Sequence, residues 1–226
     1  MDPVVLQYEN VWLRRSDVSL LEGPHWLNDE IIRFAFHYFV NDCFQLLSLM
    51  TVFIGPMITE LIKFSTDTKE LFMFLKPLAL PFRQWIFLAI NNNSRNTPGG
   101  SHWSLLLYHR PSNKFIHYDS RRATNAIHAR HVAMRLLPFL ACKEGVMFEE
   151  HQCPQQSNNY DCGMYVIYMA ELLCEQAMEE KEPLVPIQNI TADSVTEKRA
   201  EWLKRIHALM ERASSPAEEK SIQKSE

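Results

Sequence analysis

The stretch Gln156-Ser157-Asn158-Asn159-Tyr160-Asp161-Cys162-Gly163-Met164-Tyr165-Val166-Ile167 most narrows what the chain can become. A polar loop ends on a cysteine, and the sequence then switches at once to apolar helix formers. The first turn of a helix carries N–H groups without intrahelical partners and the positive end of the helix dipole. Both favour thiolate over thiol, so a cysteine placed there has the electrostatic setting of a sulfur nucleophile. Taken alone, a cysteine opening a helix is an ordinary small apolar residue. A nucleophile also needs a base, a group to orient that base, and donors for an oxyanion.

His102 is the base candidate. It follows Gly99-Gly100-Ser101 and opens the apolar segment running to His109. Across the turn Arg110-Pro111-Ser112-Asn113-Lys114 lies Phe115–Ser120, so the two segments read as an antiparallel hairpin. Asp119, the orienting candidate, and His102 then fall at the end away from the turn. A turn centred between Ser112 and Asn113 pairs Asp119 with Leu106 and leaves it about 13 Å from His102 along an ideal strand. A different register, strong twist or a bulge is needed to close that distance. His117 is the competing base because it shares a strand face with Asp119; its mid-strand position limits access and favours His102. The side-chain NH2 of Gln156, with the backbone N–H of Cys162, can supply a two-donor oxyanion hole. Asp161 adjoins the cysteine, but a carboxylate there disfavours the thiolate, so its expected task is helix capping.

At 226 residues the chain fits one domain, expected over 1–212, with a polar aperiodic tail at 213–226 expected to be disordered. Residues 1–26 read as irregular or partly extended. Helices are expected from Asn28 to about Val40, over Pro56–Phe64 and Asp67–Leu75, over Asn125–Leu140, and over Cys162–Glu180. A last helix opens on the capping box Ser194-Val195-Thr196-Glu197. Strands are expected at Gln84–Asn91, in the hairpin, and at Val146–Glu150. The fold class is α+β, helices packed on a small, mainly antiparallel sheet.

A net charge of −4 gives no reason to expect nucleic acid or an anionic membrane as partner. The amino terminus lacks the pattern of a signal peptide, and the apolar run Trp85–Ile90 is too short to span a bilayer. The expected setting is intracellular, cytoplasmic or nuclear. Five scattered cysteines do not form a disulfide framework. His128-Ala129-Arg130-His131 and His151-Gln152-Cys153 do not make a zinc set, so neither metal nor cofactor is expected.

Four motifs also carry a resemblance. Trp26-Leu27-Asn28-Asp29, Gly100-Ser101-His102-Trp103-Ser104-Leu105-Leu106, His117-Tyr118-Asp119-Ser120 and Gln156…Tyr160-Asp161-Cys162-Gly163-Met164-Tyr165-Val166 together resemble the Ulp/sentrin-specific cysteine proteases. The opening Met1–Leu6 and Ser16–Leu21 are most similar to the deneddylase branch. The resemblance implies a papain-like fold in permuted order, with the nucleophile at a helix N-terminus. It implies a triad of His102, Asp119 and Cys162, with Gln156 as oxyanion donor. Trp26 and Trp103 would roof a tunnel over a Gly-Gly tail, where flat indoles admit backbone and reject side chains. Asp29 would contact the modifier, although it also suits a plain role as a first-turn helix stabiliser. The implied activity is a thiol isopeptidase acting on a ubiquitin-like modifier, the neddylation modifier, and on its precursor. The implied partners are that modifier and its lysine conjugates, cullin-type targets among them, met by a monomer. Two alternatives share the scaffold: an acetyltransferase using the same His–acid–Cys order, and a non-catalytic modifier-binding module.

Overall fold

The computed structural model describes residues 1–95, 97, 99–181 and 190–214. The amino-terminal segment is more ordered than its sequence suggests. Strands β1 (Val4–Tyr8) and β2 (Val11–Arg14) form an antiparallel hairpin that continues into the short helix α1 (Arg15–Ser19). Glu9, in the turn, takes a positive φ of 48°. Leu6, Val11 and Leu13 turn inward and are buried, which is what holds so short a hairpin in place.

Five further strands, β3 (Thr51–Ile54), β4 (Trp85–Asn91), β5 (Trp103–His109), β6 (Lys114–Tyr118) and β7 (Met147–His151), make one sheet in that spatial order. The β4/β5 and β5/β6 pairs are antiparallel, and the outer pairs β3/β4 and β6/β7 are parallel. Strand β3 is absent from the sequence reading, since four residues of Thr, Val, Phe and Ile show too little periodicity to stand out.

The side-chain alternation of the central strands explains the layers. Phe87, Ala89, Leu105 and Leu107 join one apolar cluster, while Ile86, Leu88, Leu106 and Tyr108 join another. A period of two with both faces apolar requires cover on both sides. On one side lie α6 (Cys162–Met178), α2 (Asp29–Tyr38) and α7 (Ala192–Ser214). On the other lie α3 (Pro56–Phe64), α4 (Thr68–Leu75) and α5 (Ala126–Leu136). Twelve of the seventeen residues of α6 are buried, so the helix that carries Cys162 is enclosed rather than amphipathic.

Helix α7 starts earlier than its expected box at Ser194–Glu197. Thr191 and Ser194 cap each other instead, Thr191 N–H donating to Ser194 Oγ at 2.9 Å and Ser194 N–H to Thr191 Oγ1 at 3.1 Å. Helix α5 ends at Leu136 and tightens into a single 3-10 turn over Leu137–Phe139, as Pro138 dictates. Of the tail expected to be disordered, residues 213–214 close α7, and 215–226 lie outside the described residues.

Candidate active site

The end of β4, the start of β5, the end of β6 and the start of α6 all meet at one end of the central strands. The β5/β6 register pairs Leu105 with Tyr118 and Leu106 with His117. The hairpin turn is therefore centred one residue earlier than expected, which slides Asp119 two residues closer to His102. Continued past Tyr118, this register sets Asp119 opposite Ser104, and His102 is then a diagonal neighbour on the same face, within side-chain reach. His102 Nε2–H donates to Asp119 Oδ1 at 2.6 Å, and both side chains are almost fully buried. The register removes the gap without a bulge.

The loop before His102 is pinned by asparagines. Asn92 Oδ1 accepts from the N–H groups of Ser101 and His102 at 2.7 and 3.1 Å. Gly100 has a φ of +90°, and a Cβ there would lie 1.8 Å from Asn91 Oδ1, so only glycine fits. The carboxylate of Asp119 is equally fixed. Its Oδ1 also accepts from Arg121 N–H at 2.9 Å, and its Oδ2 from Asn125 N–H at 2.8 Å.

Burial disfavours charge on both partners, but the pair overcomes it. For His102 the largest single effect is desolvation, which lowers the pKa. The hydrogen bond to Asp119, then interaction with Cys162, outweigh it and raise the value to about 9. For Asp119, burial pushes upward, and the hydrogen bonds from His102, Asn125 and Arg121 hold the carboxyl below its usual range. The ring is therefore a cation at neutral pH. Its Nε2 is engaged by Asp119, which leaves the buried Nδ1, otherwise without a hydrogen bond, as the nitrogen that can serve the sulfur.

His117 is no rival. Its Nδ1 pairs with Glu150 Oε2 at 2.7 Å and its Nε2 with Ser104 Oγ at 2.8 Å, in a fully buried position. Ser104 Oγ in turn accepts from Asn125 Nδ2 at 3.0 Å, and the same amide reaches the Ile90 carbonyl at 3.0 Å. The polar interior behind the dyad is thus a connected scaffold.

Cys162 opens α6, where the first N–H groups have no intrahelical partner, and it is only 1% exposed. Asp161 does not cap this helix through its side chain, contrary to expectation. Its Oδ1 instead accepts from Arg199 Nη2 at 2.7 Å, and its Oδ2 from Asn158 Nδ2 at 2.6 Å. Its negative charge is neutralised by a buried guanidinium rather than turned toward the sulfur. Arg199 also donates to the carbonyls of Leu20 at 2.7 Å and His25 at 3.2 Å. One side chain of α7 therefore ties the base of the nucleophile helix to the segment leading into Trp26.

Gln156 sits on the irregular segment that leads from β7 to α6. Its backbone N–H donates to the Ser120 carbonyl at 2.8 Å, and its side-chain Nε2 to the Asn158 carbonyl at 2.6 Å. The two tryptophans behave differently. Trp103 is largely buried and its Nε1–H donates to the Leu27 carbonyl at 3.0 Å, whereas Trp26 is 50% exposed. Leu27 packs so tightly on the start of α6 that a Cβ at Gly163 would come within 2.8 Å of its Cβ. Trp103 also walls a groove of about 430 Å³, lined further by Asp29, Glu30, Arg33, Met57 and Glu60. Asp29 lies in the first turn of α2 and is exposed there. Among the described residues there is no His, Cys, Asp or Glu cluster suited to a metal, and no helix is long and apolar enough to cross a membrane.

The sequence reading misses Asn125 and Arg199. For Arg199 a signal exists: it occupies the buried stripe Val195, Arg199, Trp202, Ile206 of α7, and a cation on such a stripe demands a buried partner. Asn125 gives no comparable sign, since an asparagine before a helix reads as a simple cap.

A dyad at the ends of two central strands, a cysteine at a helix start and a glutamine upstream define the class of papain-like cysteine proteases. Residues 81–213 match the Ulp1 protease family, C-terminal catalytic domain, and the chain belongs to that family. It is 48% identical to the sentrin-specific protease 8 of Mus musculus over 97% of this chain and 99% of that protein. It is 34% identical to the NEDD8-specific protease 1 of Arabidopsis thaliana over 92% and 95% of the two chains. In fold it is similar to the Ulp1 protease domain solved in complex with Smt3, the yeast ortholog of SUMO, with a TM-score of 0.70 at 21% identity, covering 92% and 89%. None of these relatives supports the acetyltransferase or binding-module alternatives.

Proposed function

We propose that the chain is a thiol isopeptidase that releases the neddylation modifier from lysines of target proteins and trims its precursor. The observation that carries this reading is the buried His102–Asp119 pair at 2.6 Å, with the His102 ring also interacting with Cys162 on the first turn of α6. In the resting enzyme His102 already holds the proton given up by Cys162, and Asp119 stabilises that imidazolium. The thiolate attacks the carbonyl carbon of the modifier's terminal glycine. The oxygen becomes an oxyanion, held by a Gln156 Nε2–H and the Cys162 backbone N–H. As the tetrahedral species collapses, the carbon–nitrogen bond breaks and His102 gives its proton to the departing lysine amine. Water then attacks the thioester, losing a proton to His102, and collapse frees the modifier's carboxyl group and expels the thiolate, restoring the starting pair. Precursor processing follows the same course with a peptide amine as leaving group.

Selection for paired glycines rests on access. Cys162 is 1% exposed, with Leu27 pressed against Gly163 and Trp103 fastened to Leu27, so a side-chain-free tail is the substrate that suits the approach. The choice of modifier rests on the names of the relatives, one of which is a NEDD8-specific protease. The test is a set of Gly-Gly-terminated modifiers, each linked to aminomethylcoumarin. The neddylation modifier should be cleaved at least ten times faster in kcat/KM than the sentrin type or ubiquitin. Equal rates on all three would remove the specificity, and unchanged turnover by Cys162→Ala would remove the thiol chemistry.

A further inference from the structure

Ser120 is a buried nucleophilic group that the mechanism above leaves unused. It follows Asp119 directly, is 1% exposed, and its hydroxyl donates to Gln156 Oε1 at 2.8 Å. We propose that Ser120 is a positioning residue that fixes which end of the Gln156 amide faces the reacting carbonyl. The proposal rests on the reading of Gln156 as an oxyanion donor and deepens it.

A glutamine amide has two ends of nearly equal size, and its last torsion is broad and roughly two-fold. Turned one way it offers N–H groups to an oxyanion; turned the other way it offers a carbonyl oxygen, which repels one. A free side chain would divide its time between the two. Here each end has a fixed partner. The Asn158 carbonyl, which can only accept, holds Nε2 at 2.6 Å, and the Ser120 hydroxyl holds Oε1 at 2.8 Å. Two anchors on opposite ends define the plane of the amide as well as its sense. Nε2 carries two hydrogens and uses one on Asn158. The second has no acceptor among the described residues, and Gln156 is half-buried, so a donor remains available to a ligand.

The backbone strengthens the link. Gln156 N–H donates to the Ser120 carbonyl at 2.8 Å, and Gln155 Nε2 donates to the Asp119 carbonyl at 3.0 Å. The turn that presents the Asp119 carboxylate to His102 is therefore the same turn that aims the Gln156 amide. Removing the Ser120 hydroxyl leaves these backbone contacts intact and cuts only the side-chain anchor.

The experiment is a double-mutant cycle with Ser120→Ala, Gln156→Ala and the pair, measured by steady-state cleavage of the neddylation modifier linked to aminomethylcoumarin. Gln156→Ala should lower kcat by about a hundredfold. Ser120→Ala should lower kcat by about tenfold with KM within twofold, and should change kcat by less than twofold in the Gln156→Ala background. The rate of inactivation by iodoacetamide, a reaction that forms no oxyanion, should be the same in Ser120→Ala and the parent. Three results overturn the proposal: full kcat in Ser120→Ala beside a depressed Gln156→Ala, a tenfold loss repeated in the double variant, or alkylation slowed in parallel with turnover. Full kcat in Gln156→Ala instead overturns the oxyanion reading itself.

Discussion

Around Asp119 every oxygen is engaged: Oδ1 accepts from His102 and Arg121, and Oδ2 from Asn125. Along the groove beside Trp103, Asp29 is exposed, and Glu30 and Glu60 are only partly covered. The first region has already met the cost of desolvating its charges and holds them in one arrangement before substrate arrives. The second leaves Asp29 open to water and Glu30 and Glu60 only partly desolvated, each beside a single cation, Arg33 or Lys63. Interactions are worth more, and substitutions cost more, where water is excluded. The dyad is therefore preorganised, while the groove offers a partner only weak, separable contacts.

The sharpest way to break this contrast is at the sulfur. Cys162→Ala should reduce cleavage of modifier–aminomethylcoumarin by about 10⁴-fold or more, while retaining modifier binding in a pull-down. Asp119→Asn comes next, with a loss of about 10³-fold in kcat at neutral pH, since the ring loses its orienting carboxylate. The pH profile adds the sign. The raised pKa of His102 keeps the proton for the leaving amine, so turnover in the parent should fall as pH rises through about 9. In Asp119→Asn this limb should move to lower pH. The same group stabilises the fold, fully below its unfolded value of 6.5 and decreasingly as pH rises through about 9, which thermal melts across that window will read.

Arg199→Ala tests whether preorganisation extends beyond the dyad. It leaves Asp161 buried and unpaired, and should cost about 3–5 kcal/mol in denaturant unfolding. The smallest effect belongs to the groove. Asp29→Ala should raise KM a few-fold and leave kcat unchanged, the pattern of a contact made equally in ground and transition states. A large fall in kcat from Asp29→Ala would erase the distinction between the two regions.

The same distinction governs what the sequence discloses. Strands β4 and β5 are legible because apolar residues on both faces leave one reading, and Pro56 and Asp67 mark α3 and α4 by their helix-start chemistry. The triad candidates follow from residue type and motif. The join between His102 and Asp119 does not, because it depends on a turn centred one residue earlier than the composition of the loop suggests. Asp161 reads as a cap until Arg199, thirty-eight residues further on, is folded back against it. The amino-terminal hairpin and β3 are hidden for a related reason: their order comes from tertiary burial of Leu6, Val11, Leu13 and Ile54, not from local propensity. Local chemistry is written locally, and the partners that make it work are supplied by the fold.

The central claim is that a buried imidazole is kept charged by Asp119 at the side of Cys162. Histidine-resolved NMR titration of the wild-type protein and of Asp119→Asn tests it directly. The account predicts that His102 holds its proton up to about pH 9 in the wild type and releases it at clearly lower pH in the variant. A His102 that titrates near 6.5 in both proteins would contradict it.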